Sequence, residues 1–439
     1  MGGLRSTIVL LVVLAGLGGY IYFVDANRDP MALDAKPRAF VDLSADQIEE
    51  LQFRSDSGEA SHVRRVGDDW QLVEPSTADA DTGVIGTVTS NLASLEVQRV
   101  VDEQPTDLSQ YGLDPARIDV AFRLEGEEDF AHLLVGEQTP TGGDVFARRP
   151  DETRVFLISS FLDSIFNKTA FDLRDKAVLK FDRDTADGVE LVGDSIRLRF
   201  AKEGTAWRIA QPISARADYA AVEGLITSLS STNMQRIVVQ DASDLREYGL
   251  DRPAMTATVS GGDSSATLLI GTQDEETGGR FAQDAGRPEV FAVDESLLAD
   301  LSKGVSEYRR KDIFDARTFT ATRVETRRGD ETLTLERAST DSDAAWRDAS
   351  GQEVDDTVVD GLMMKLSALR ADGFEETPGT AAATPALTVT VGFGSDQTES
   401  VTFVRSAIDV FAARSDEPGA ARINPTLFDE ALMAVDALQ

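Results

Sequence analysis

Through most of the chain, apolar residues fall at every second position of short runs, as they do in strands that bury one face. Leu51 and Phe53, then Val63, then Trp70 and Leu72 occupy three such runs. They predict a three-strand meander, with Gly67-Asp68-Asp69 as one turn and Pro75 as its end. The period then changes. Val84, Ile85, Val88, Leu92 and Leu95 follow Asp81 at helical spacing, which predicts a helix with an aspartate N-cap. Strand patterns return around Arg99-Val100-Val101 and over Ile118–Leu124, Phe130–Val135, Val145–Ala147 and Arg154–Ile158. Phe161, Leu162, Ile165 and Phe166 mark a closing helix.

The series then repeats. Trp70 returns as Trp207, and Gln98-Arg99 as Gln235-Arg236, both at an offset of 137 residues (207 − 70). At the same offset Asp107-Leu108-Ser109-Gln110-Tyr111-Gly112-Leu113-Asp114 returns as Asp244-Leu245-Arg246-Glu247-Tyr248-Gly249-Leu250-Asp251. Leu133-Leu134-Val135-Gly136 returns as Leu268-Leu269-Ile270-Gly271 at 135 residues (271 − 136), so an intervening loop is two residues shorter. From Thr320 a weaker copy follows: Leu333 and Leu335 precede Trp346, and Val358, Val359, Leu362, Leu366 and Leu369 make the helix. That copy lacks both the proline after its tryptophan and the Tyr-Gly-Leu loop, and alanine-rich Thr380–Thr384 stands in the loop's place. Self-similarity at one spacing means that the chain is built from copies of one unit. The expected fold class is α+β, an antiparallel sheet with helices in each unit. Two clear copies span 43–181 and 182–319, and a degenerate third spans 320–439.

Ahead of the repeats, Thr7–Val24 is an uncharged run of 18 residues. As a helix it would reach roughly 27 Å, close to the ~30 Å hydrocarbon core of a bilayer. Tyr20-Ile21-Tyr22-Phe23-Val24 leaves no small-x-small cleavage site, so an uncleaved transmembrane helix is expected over 7–24. Residues 1–6 form a tip and 25–42 a polar linker. Arg5 on the short side places the N-terminus in the cytoplasm and the repeats outside the bacterial inner membrane, in the periplasm, on a single-pass chain.

Charge and composition then remove whole classes of function. The net charge of −34 repels phosphate backbones, which argues against nucleic-acid binding. There is no cysteine, and the two histidines, His62 and His132, stand at unrelated repeat positions, so a thiolate zinc site or a Ser-His-Asp triad has little material. Asp79-Ala80-Asp81-Thr82-Gly83 departs from a calcium loop in its glycine position and its twelfth residue. Thr141-Gly142-Gly143 and Thr277-Gly278-Gly279 read as hairpin turns. No catalytic, cofactor-binding or metal-binding residue is assigned.

The residues that do stand out suit structural work. Gly112 and Gly249 are expected at positive φ, with Tyr111, Leu113, Tyr248 and Leu250 plugging the core of their modules. Trp70, Trp207 and Trp346 recur at one place in the unit and are expected in its core. Arg174 and Lys176 end the first copy as Arg309 and Lys311 end the second, positions suited to ion pairs between modules or to a partner contact.

The uncharged run, the Trp-x-x-x-x-Pro strand end, Asp-Leu-x-x-Tyr-Gly-Leu, the Leu-Leu-Val/Ile-Gly strand and Leu173-Arg174-Asp175-Lys176 together resemble a bacterial family, domain of unknown function 4340. The resemblance covers residues 43 to 319 well and the third copy loosely. It implies a membrane-anchored accessory protein of a gliding-type ABC transporter system, and it supplies no catalytic residues. The expected function is therefore a non-enzymatic exported scaffold, without a cofactor, that contacts an ABC-type permease or its cargo. The alternative is an envelope hydrolase or carbohydrate-binding protein that uses a cleft between modules.

Overall fold

The computed structural model describes residues 36–341, 344–376, 384–394 and 397–438. The expected transmembrane helix over 7–24 lies outside the described residues. Among those described, no helix is long and apolar enough to cross a membrane.

Nine strands form the first module: β1 Ile48–Arg54, β2 Ala60–Val66, β3 Asp69–Glu74, β4 Ala78–Asp79, β5 Arg99–Asp102, β6 Ile118–Leu124, β7 Ala131–Gln138, β8 Asp144–Arg148 and β9 Val155–Ser159. They make one antiparallel sheet in the order β4-β3-β2-β1-β6-β7-β8-β9-β5. Alternate residues of a strand point to opposite faces. Leu51, Phe53, Val63, Trp70, Leu72, Ile118, Val120, Leu133 and Val135 therefore share one buried face. Helix α1 (Thr82–Ala93) connects β4, at one edge, to β5, at the other. Its stripe of Ile85, Val88 and Leu92 is buried in the same core. Burying each such side chain is worth about 1.5–3 kcal/mol. Asp81 starts the helix by accepting the backbone N–H groups of Gly83 and Val84 at 2.9 and 3.0 Å. Two short helices, α2 (Leu162–Phe166) and α3 (Ala170–Leu173), close the module.

The second module repeats the arrangement with β10 Gly188–Gly193, β11 Arg197–Glu203, β12 Ala206–Gln211, β13 Ala215–Arg216, β14 Arg236–Val239, β15 Met255–Gly261, β16 Ser264–Gln273, β17 Arg280–Asp284 and β18 Val290–Val293. Its helices are α4 (Tyr219–Ser231), α5 (Glu295–Leu301) and α6 (Val305–Tyr308). The third module has β19 Ala321–Arg328, β20 Glu331–Glu336, β21 Trp346–Asp348, β22 Glu353–Val354, β23 Ala371–Glu375, β24 Leu387–Phe393, β25 Gln397–Ser406, β26 Asp409–Arg414 and β27 Ala420–Ile423, with helices α7 (Asp356–Ser367) and α8 (Pro425–Asp436). Both sheets have nine antiparallel strands in the order of the first.

These sheets correct the expected fold class. The modules are mainly β, three nine-stranded antiparallel sheets with helices as minor partners, and not α+β. Pairing accounts for the difference, because nine strands join one sheet in each module while the helices among the described residues number two or three. β4, β13 and β22 have two residues each and show no period along the chain, so only their ladder partners define them. The third copy is degenerate in sequence but complete in structure. The alternation that buries Val389, Val391, Val401 and Phe403 is intact.

Residues assigned to the linker also join the first module. Ala39 and Phe40 are buried in its core, and Arg38 pairs with Glu96 next to the N–H of Ala39, which donates to Leu95 O at 2.7 Å. The second and third modules open the same way, with Ala177 paired to Asn233 and Asp312 paired to Arg370.

Candidate functional site

The best-marked motif of the sequence is a loop seated on a glycine. In the first two modules a short 3-10 turn, Ser109–Tyr111 or Leu245–Tyr248, ends at a glycine of φ 66° or 68°. Only glycine takes that left-handed conformation without strain. The carboxylates of Asp107 and Asp244 accept the N–H groups of Ser109 and Arg246 at 2.9 and 3.0 Å. Hydrogen bonds from the Ser109 hydroxyl and backbone hold Asp107 below the usual carboxylate range, and those from the Arg246 side chain and backbone do the same for Asp244. A Cβ on Gly136 would lie 2.1 Å from Tyr111 O, and one on Gly271 would lie 2.0 Å from Tyr248 O. The Tyr-Gly-Leu loop and the Leu-Leu-Val/Ile-Gly strand recur together because they touch.

This contact corrects the expectation that Tyr and Leu plug the module core. Leu113 packs with Ala116 and Val155 in a separate cluster that includes Tyr111, Leu134 and Phe146. Leu134 and Phe146 alternate with core residues Leu133, Val135, Val145 and Ala147, so the cluster occupies the opposite face of the sheet. The Tyr111 and Phe146 rings are 5.1 Å apart, and those of Tyr248 and Phe281 are 5.3 Å apart. Tyr111 donates its hydroxyl to Asp102 at 3.1 Å, and partial burial together with that bond raises its pKa.

The three tryptophans are 5%, 2% and 1% exposed at Trp70, Trp207 and Trp346, too little to serve as an open binding platform. Each lies under a cation: Arg65 at 5.3 Å, Lys202 at 5.5 Å and Arg337 at 4.9 Å. The Trp207 indole donates to Glu223 at 2.9 Å.

The basic module ends diverge in their surroundings. Arg174 is buried, and Lys176 donates to Asp172 O at 3.0 Å and lies over Phe171. Lys311 is exposed. Arg309 is buried where the second and third modules meet, donating to Glu417 at 3.0 Å with its guanidinium 4.0 Å from the Phe374 ring centre. Arg216, on edge strand β13, reaches the same Glu417 at 2.6 Å and Asp315 at 2.8 Å. Arg414 adds Glu399 at 2.7 Å and Asp416 at 2.9 Å. Burial pushes the Asp416 carboxyl up, but the hydrogen bond from Arg414 and the positive charges of Arg414 and Arg216 together outweigh it and leave the pKa below the usual range. This network holds the two modules in one register. Sequence reading found Arg309 but missed Arg216 and Glu417, which lie 201 residues apart and carry no local signal.

The sequence names both histidines but carries no sign that they share a row. On the outer face of the first sheet, His62 is in register with Gln52, Gln52 with Ala121, and Ala121 with His132. The only two histidines of the chain thus lie in one row across β2, β1, β6 and β7. His62 contacts Glu50 at 3.0 Å, and Arg123 contacts Glu50 at 2.6 Å and Glu49 at 3.1 Å. His132 contacts Asp119 at 3.0 Å. Phe130 stands beside them, with Arg123 5.7 Å from its ring centre and the His62 ring 6.5 Å away. Each histidine is matched to a carboxylate. Among the described residues, no group of three or more His, Asp or Glu side chains is placed to hold a metal ion.

A family model described as "Domain of unknown function (DUF4340)" matches the chain twice, over residues 70–206 and 207–389. Each match begins at a tryptophan, Trp70 on β3 and Trp207 on β12, and runs from inside one sheet into the next, the first to β12 and the second to β24. No curated protein matches the chain. With the family model covering well over half of the 439 residues, and with the Tyr-Gly-Leu loop and buried tryptophans placed as described, the chain belongs to the DUF4340 family.

Proposed function

We propose that this protein is a non-catalytic accessory scaffold that works by binding. It is held at the bacterial inner membrane through Thr7–Val24, with its modules exported, and its partner is an ABC-type permease or that permease's cargo. One observation carries the reading: the residues repeated between modules are spent on packing and turns. The tryptophans are buried, Gly136 and Gly271 receive the Tyr-Gly-Leu loop, and Arg309 is sequestered by Glu417. Duplicating such a unit extends a contact surface, whereas duplicating an enzyme would copy its reactive groups. The net charge of −34 favours a partner with basic exported loops and makes their association weaken as salt rises.

The test uses photo-crosslinking side chains at Phe319 and Ile408, both exposed, in intact cells. A polytopic transporter subunit should be captured, with a yield that falls when Thr7–Val24 is deleted, because the shared membrane plane raises effective concentration. A purified chain that hydrolyses a glycan, peptide or ester, and stops doing so when one carboxylate is neutralised, would overturn the reading in favour of an envelope hydrolase.

A further inference from the structure

The three modules act as controls for one another. What all three share serves the common fold, and what one adds is free for another purpose. The hairpin between β6 and β7 is such an addition. It spans six residues, 125–130, where the second module turns with two, 262–263, and the third already pairs Phe393 with Gln397. The added segment is Glu125-Gly126-Glu127-Glu128-Asp129-Phe130. It forms one wall of a cavity of about 410 Å³ whose other side is the β8–β9 turn at Pro150 and Asp151. Phe122, Leu124 and Phe130 give the cavity an apolar lining, and Glu127, Asp129 and Asp151 stand at its rim. Asp151 is matched by Arg149 at 2.5 Å, whereas Glu127 and Asp129 make no ion pair among the described residues. The turn is held in place, because Arg123 donates to Glu127 O at 3.1 Å while its guanidinium lies over Phe130.

We infer that this cavity receives a lysine or arginine side chain from an extended basic segment of the partner, an inference that rests on the scaffold reading above. The chemistry matches both ends of such a side chain. Its aliphatic stem would lie along Leu124 and Phe130, and its cationic head would meet Glu127 and Asp129. The aromatic ring adds cation–π attraction, and the acidic field of the chain draws basic segments toward the rim. Neither of the other two modules has this long hairpin, so the site belongs to the first alone.

The test is fluorescence anisotropy on the full chain in detergent, with a short labelled peptide of alternating leucine and lysine as the probe. The same peptide with glutamate in place of lysine is the control. Saturable binding of the lysine peptide alone is expected. Phe130→Leu and the pair Glu127→Gln/Asp129→Asn should each weaken it about five- to tenfold. Neutralising two exposed carboxylates of the second module, Asp194→Asn/Asp263→Asn, should change it less than about twofold. Glu127 and Asp129 lie in an exposed turn, so that variant retains the fold even if Phe130→Leu does not. Equal losses in the pocket and control pairs, or none in either, would reduce the effect to diffuse attraction and overturn the inference. The two readings fail separately. Peptide binding lost with the pocket, without crosslinking to any membrane protein, removes the transporter partner and keeps the pocket. Undiminished crosslinking by the pocket variants removes the pocket and keeps the partner.

Discussion

Replacing Gly271 by alanine tests the contact that joins the two recurring motifs. The new Cβ would lie 2.0 Å from Tyr248 O, whereas carbon–oxygen contacts normally settle near about 3.3 Å. The Tyr-Gly-Leu loop would therefore have to retreat by more than about 1 Å, drawing out Leu250, which is 2% exposed, and loosening Tyr248 from Phe281. Overpacking of this kind costs roughly 1–3 kcal/mol. Against it, alanine restricts the unfolded chain and returns about 0.4–1 kcal/mol. The clash wins, and the expected net loss is about 1–2 kcal/mol. Each module has one tryptophan, so urea unfolding followed at Trp207 in a Trp70→Phe/Trp346→Phe background isolates the second module. Leu250→Ala in the same background should cost about 2–4 kcal/mol alone. Combined with Gly271→Ala it should cost less than the two added, by at least about 0.5 kcal/mol, because both remove the same burial. A neutral or stabilising Gly271→Ala, or strict additivity with Leu250→Ala, would refute the proposed seating of the loop.

Three further outcomes are expected. Glu417→Ala strips the buried Arg216 and Arg309 of their shared carboxylate and should cost about 3–5 kcal/mol, splitting the unfolding transitions seen at Trp207 and Trp346; unchanged, coincident transitions would refute it. Burial, with Asp300 and Glu307 nearby, pushes Tyr308 from 10 up to about 12, so its contribution to stability is whole below pH 10 and lost as pH rises toward 12; Tyr308→Phe should flatten that part of an alkaline denaturation profile. Asp274 is pushed up by burial but pulled further down by hydrogen bonds from Arg236 and Thr277, so its contribution is present above the ordinary value of 3.8 and lost as pH falls through its lower folded value; Asp274→Asn should reduce the acid sensitivity of the second module, as read by Trp207 fluorescence against pH.

The sequence alone determined what depends on near neighbours. Alternation along Leu51 and Phe53 or Ile118–Leu124 reveals a strand because side-chain direction has a period of two, and the spacing of Val84, Ile85, Val88 and Leu92 reveals a helix for the equivalent reason. The copying of the unit was visible too, since Trp70 to Trp207 and Tyr111 to Tyr248 keep one offset. Tertiary structure decided whatever depends on strand order and register. β4, β13 and β22 exist because a neighbouring strand pairs with them, and the joining of nine strands into one sheet per module is what makes the fold mainly β. Tyr248 meets Gly271 because the loop folds back onto β16, and Arg216 meets Glu417 across 201 residues because edge strand β13 of the second module lies against the β26–β27 turn of the third. His62 and His132, at unrelated repeat positions, reach one row only through three successive pairings, β2 on β1, β1 on β6 and β6 on β7. Periodicity reports the geometry of a single element, whereas a site requires several elements to be placed together, and hydrogen-bond pairing between distant segments sets that placement.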